Sequence, residues 1–175
     1  MFVTFEKEQF SMTVAFDAVA SDSVSASSGT TLSWTHTPVG TPTAVGVSLW
    51  NYEPFATITG STYGGVAMTQ AVTNDNEAFS VQVGGLANPP AGAQTVVLTF
   101  SGTDAYCMAG SVTVTGSNTT TCFRASSPTS TDGFDSAGAS SLAVTTAAGD
   151  LVFDVIGVAA GYTFCCWRFA SCALG

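Results

Sequence analysis

Charge is the first thing this sequence lacks. Only 9% of its 175 residues are charged, and three of those are cations: Lys7, Arg124 and Arg168. Twelve Asp and Glu stand against them, for a formal net charge of −9. Nucleic-acid binding needs several Lys and Arg to neutralise phosphates, so that class is excluded. Attraction to an anionic membrane surface fails for the same reason. No apolar run reaches about 18 residues, so no membrane span is expected. Helical periodicity is nearly absent as well.

The start, "MFVTFEKEQFSM", places Glu6, Lys7 and Glu8 where a secretory signal needs an apolar stretch, so it does not read as one. Residues 1–12 are read as an N-terminal extension, 13–160 as one β-sandwich domain, and 161–175 as an atypical Cys- and aromatic-rich tail, either a truncated or out-of-frame end or a true final strand. The five cysteines form an odd set. Cys107 and Cys122 lie in the body, and Cys165, Cys166 and Cys172 crowd the end, which argues against a complete disulfide framework.

What is present is alternation. "TLSWTHT" sets Leu32, Trp34 and His36 on one face, and "AVGVSLW" sets Val45, Val47 and Leu49 inward with Trp50 opposite. "VAFDAV" groups Val14, Phe16 and Ala18, while "AFSVQVGG" puts Phe79, Val81 and Val83 inward. "QTVVLTFSG" does the same with Val96, Leu98 and Phe100, and "AYCMAGSVTVTG" with Tyr106, Met108, Val112 and Val114. "SLAVTT" and "LVFDVIGVA" close the series. Between "TITGSTY" and "VAMTQAV" stand Gly64 and Gly65, a pair suited to a two-residue hairpin turn that needs positive φ twice. About ten short strands separated by Gly, Pro, Asn and Asp predict an all-β, antiparallel β-sandwich of jelly-roll or immunoglobulin-like type.

Catalytic constellations are sparse. His36 is the sole histidine, and no Gly-x-Ser-x-Gly elbow accompanies it. Sharing a face with Trp34, it reads as a core-edge residue. Asp17 and Asp154 alternate with apolar neighbours and read as solvent-facing, not as a glycosidase pair. "NDNE" (74–77) and "DGFD" (132–135) are oxygen-rich loops of a kind that suits calcium, and neither fits the twelve-residue calcium loop. The terminal cysteines lack Cys-x2-Cys spacing and are not read as a zinc set. No catalytic, cofactor or metal residue is assigned. The candidate ligand or partner contacts are Trp50, Tyr52 and Phe55 in "LWNYEPF", where aromatic faces leave the core side of a strand.

The order of "TLSWTH", "VGVSLWN", "ITGSTYGGVAMT", "VVLTFSG", "MAGSVTVTG" and "SLAVTTAAGDLVFDVIGV" resembles a β-sandwich domain of phage structural proteins and bacterial surface or secreted proteins. The resemblance covers about residues 13–158 and departs after Ala160. It implies a non-enzymatic structural or attachment module of a virion or cell surface, self-associating or bound to other such proteins. A phage particle assembles in the cytoplasm and leaves by lysis, so its surface proteins need no signal. A carbohydrate-binding module cut from a larger secreted protein is the alternative, with a glycan as its partner.

Overall fold

The computed structural model describes residues 14–24, 30–52, 58–76, 79–102, 106–123, 150–156 and 166–171. All of its elements are strands: β1 (Ala15–Val24), β2 (Thr31–His36), β3 (Ala44–Tyr52), β4 (Ile58–Tyr63), β5 (Val66–Ala67), β6 (Thr69–Asn76), β7 (Phe79–Ala87), β8 (Gln94–Phe100), β9 (Tyr106–Thr115), β10 (Leu151–Ile156) and β11 (Cys166–Ser171). One sheet runs β1-β9-β3-β7-β6, a second runs β2-β8-β4-β5, and β10 pairs with β11. Every pairing is antiparallel. The two larger sheets stack as a β-sandwich, as the alternation predicts.

The core lies between them. Leu32 and Trp34 of β2, Tyr63 of β4 and Val96, Leu98 and Phe100 of β8 meet Val45, Val47 and Leu49 of β3 and Cys107 and Ala109 of β9. Each fully buried aliphatic side chain here contributes roughly 1.5–3 kcal/mol. Strand β2 alternates strictly between exposed and buried residues. The middle strands differ, because the larger sheet is covered on both sides. Ala44 and Ser48, opposite in phase to Val45 and Leu49, are buried too. Strand β10 lies against β3 and β7. The Phe153 ring sits over Gly46, where an added Cβ would be 3.1 Å from Cε1.

This third layer overturns several expected orientations. In β9 it is Cys107, Ala109, Ser111 and Thr113 that look between the sheets. Val112 is buried on the opposite face, against the Gly46 position. Met108 and Val114 share the Val112 parity. In β7 the register sets Gln82 beside Leu49 and Leu86 beside Val45, so Val81 and Val83 turn outward. In β1 a bulge at Asp17 breaks the alternation: Ala18 is buried while Phe16 is 51% exposed.

The turn at Gly64-Gly65 is a two-residue hairpin. Tyr63 pairs with Val66, and φ is 57° at Gly64 and 79° at Gly65. "VAMTQAV" is not one strand after it. Val66 and Ala67 finish the smaller sheet, Met68 N–H donates to Ser61 C=O at 2.9 Å, and β6 then enters the larger sheet. The "SLAVTT" segment lies outside the described residues.

Candidate functional site

The polar groups of greatest chemical interest are sealed between the sheets. His36 ends β2 with 0% exposure, and it faces Ser111 and Thr113 of β9, also 0% exposed. It is thus a fully buried histidine, not a core-edge one. Its Nδ1 lies 2.7 Å from Ser111 Oγ, and its Nε2 lies 3.0 Å from Thr113 Oγ1. Trp34 Nε1–H donates to Ser111 Oγ at 2.9 Å. Thr113 Oγ1–H donates to Asp17 Oδ2 at 2.8 Å, and Gly40 N–H donates to Asp17 Oδ1 at 2.7 Å.

These contacts orient one continuous chain of donors. Asp17 only accepts, so the Thr113 hydroxyl points to it and accepts from Nε2–H. Ser111 Oγ accepts from Trp34, and its O–H donates to the bare Nδ1. In the neutral ring the proton therefore sits on Nε2. Burial holds its pKa below the ordinary value, and the Asp17 charge partly opposes that. The Tyr63 ring meets the imidazole edge-on, with centroids 5.9 Å apart. Its hydroxyl is buried without a hydrogen-bond partner, and burial with the nearby Asp17 charge pushes its pKa up to about 12.

Ser111, His36 and Asp17 are the residue types of a nucleophile, base and orienting acid. A base acts only within hydrogen-bond reach of a substrate proton, and here both hydroxyl and imidazole are closed off. The chain instead ties β2 of one sheet to β9 and β1 of the other. Asp17 is thus no solvent-facing carboxylate. It is half-buried, and its bulge turns it toward Thr113 and the loop after β2. Asp154 stands elsewhere, in β10 opposite Arg168 in the register.

The aromatic candidates fare differently. Trp50 is half-buried on the outer face of the larger sheet, between Val81 and Met108 in the register, opposite in phase to Leu49 as expected. Tyr52 ends β3, and the register places it between Phe79 and Tyr106. Phe55 lies outside the described residues. Of "NDNE", Asn74, Asp75 and Asn76 are the end of β6, paired with Val81, Ser80 and Phe79, and not a loop; Glu77 lies outside the described residues. "DGFD" also lies outside the described residues, as do Cys165 and Cys172.

Cys107 and Cys122 are not joined to each other. Cys107 belongs to the core between the sheets, whereas Cys122 Sγ contacts the opposite face, donating to Val45 C=O at 3.4 Å. The sheet itself separates them.

No family model matches the chain, and neither a characterised protein nor a solved structure matches it.

Proposed function

We propose that this chain is a non-enzymatic structural or attachment module of a virion or cell surface. The observation that supports this most is the use of His36. The one histidine, with Ser111 and Asp17, is spent on joining two sheets in a place no substrate reaches. The edges support the same reading. Strand β1 at one side and β6 at the other each carry a bulge, and so does β4 beyond the short β5. Bulges blunt edge-to-edge pairing at these strands, while the regular edge of β2 stays available for contact beside the faces and loops. Symmetric assembly is the usual way such modules build a surface.

Light scattering and electron microscopy of the purified protein test this. Defined oligomers, or decoration of particles, support it. A monomer at every concentration that decorates nothing refutes it. The half-buried outer-face position of Trp50 favours one second reading, a glycan-binding module. A glycan array comparing wild type with Trp50→Ala decides that: saturable binding lost in the variant supports it.

A further inference from the structure

We infer that the cleft between β4 and β6 is a binding site for an uncharged, hydroxylated six-membered ring, such as a terminal neutral hexopyranose. This site is separate from the outer-face aromatic position and does not depend on it. The cleft is about 170 Å³ and opens on the side of the sandwich where the chain crosses from one sheet to the other. An apolar cavity of about 150 Å³ takes up benzene, so this one has room for a single ring.

Its lining selects the chemistry. Leu49, Leu98 and Met68 supply an apolar surface, while Thr59, Ser61, Gln70 and Gln82 supply hydroxyls and carboxamides. Among the described residues, none that lines the cleft is ionisable. A carboxylate or phosphate would find no cation there, and an ammonium no carboxylate, so a charged ligand pays desolvation without return. A purely apolar ligand would strip water from the polar groups. A pyranose has both an apolar C–H face and neutral hydroxyls.

Two features mark the cleft as built. Strand β4 bulges between Ile58 and Gly60, and β6 bulges between Gln70 and Val72, so both walls bend where the cleft opens. Bulges concentrate next to sites, where they re-aim side chains. The Gln70 carboxamide is also held in place. Its Nε2 donates to Thr73 Oγ1 and, at 3.4 Å, to Gln82 Oε1, which leaves the Gln70 Oε1 acceptor at the exposed lip. Gln82 is itself buried and donates to Ser80 Oγ at 3.1 Å.

Saturation-transfer NMR on the full chain tests this with methyl glucoside, methyl galactoside and methyl mannoside as probes. Glucuronate, glucosamine and cyclohexanol are the comparison set. The expected result is saturable binding of at least one neutral pyranoside, stronger than any of the three comparison ligands. Ser61→Leu, which fills the cleft, should abolish it. Gln70→Ala, at an exposed position and checked for folding by its thermal melt, should weaken it about fivefold. Trp50→Ala should leave it unchanged. No pyranoside binding, binding indifferent to both cleft variants, or cyclohexanol binding at least as well as the sugars overturns the proposal. Binding lost in Trp50→Ala but not in Gln70→Ala overturns it too, and moves the site to the outer face.

Discussion

Nε2 of His36 lies 3.0 Å from Thr113 Oγ1, and 77 residues of sequence separate them. This bond joins the two sheets of the sandwich, and beside it the Ser111 hydroxyl donates to a bare Nδ1. A proton on Nδ1 would face Ser111 Oγ, which already accepts from Trp34. The serine would then have to send its own proton to Ala20 C=O, 3.4 Å away.

Acid should therefore weaken the fold through this group. The folded-state pKa of His36 is lowered, so the unfolded chain binds the proton more readily. The stability tied to neutral His36 is fully present above the unfolded value of 6.5. It is lost as pH falls below that toward the depressed folded value. The facing ionisable groups are Asp17, which softens the effect, and Tyr63, which is neutral throughout this window. Urea unfolding between pH 7.5 and 5 should show wild type losing stability. His36→Gln keeps a donor and an acceptor but has no proton to gain, so its profile should be flatter there. Parallel profiles would refute this.

Tyr63 gives a prediction of opposite sign. Its hydroxyl is buried and unpartnered, an arrangement that costs about 1–3 kcal/mol. Tyr63→Phe removes that cost and keeps the ring against His36, so it should raise stability by about 1 kcal/mol. At high pH the raised pKa matters. The contribution of neutral Tyr63 is complete below pH 10 and disappears as pH rises toward about 12. Thermal melts of both proteins at pH 7 and pH 11 check this, with the variant's advantage wider at pH 11.

The hairpin supplies a graded series. At Gly65 an added Cβ meets nothing, so Gly65→Ala carries only the left-handed φ cost, about 1–2 kcal/mol. Gly65→Asn should cost less, because Asn tolerates that region. At Gly64 the added Cβ also meets the Gln94 side chain and lies 3.3 Å from Pro90 Cγ. Gly64→Ala should be the most destabilising of the three in denaturant melts.

The hairpin was legible in sequence because its reason is local. Two glycines between β-type runs have few other uses. Strands β2, β3 and β8 were legible too, since Leu32 and Trp34, Val45, Val47 and Leu49, and Val96, Leu98 and Phe100 recur at every second position. Strands β7 and β9 misled for a physical reason. Their sheet is covered on both faces, so the more apolar parity is not the one between the sheets. In β9, Val112 packs under the third layer while Ser111 and Thr113 face the core, satisfied by Trp34, His36 and Asp17. The Ser/Thr alternation in "GSVTVTG" was the available signal, but only the register with β3 says which side it takes. The partners of His36 were hidden likewise, being 75 and 77 residues away.

Gly85 shows how tightly the third layer sits, and it leads to the last prediction. A Cβ there would lie 2.5 Å from Val45 C=O, 2.7 Å from Cys122 Sγ and 2.9 Å from Phe123 Cζ. The first of these is backbone in the neighbouring strand, so relief requires the sheet itself to shift. At Gly46 the added Cβ meets the Phe153 ring at 3.1 Å, a side chain that can give way. Gly85→Ala should thus cost about 3 kcal/mol and Gly46→Ala about 1, read by urea unfolding. The same packing protects a thiol. Burial pushes the Cys122 pKa up to about 11, with its bond to Leu86 opposing. Peptide mapping after iodoacetamide at pH 7.5 should find Cys122 unmodified in the native wild type and modified in urea. In Gly85→Ala, where the thiol is displaced, native labelling should rise. Rapid labelling of Cys122 in the native wild type would mean that this layer does not cover the sheet as described.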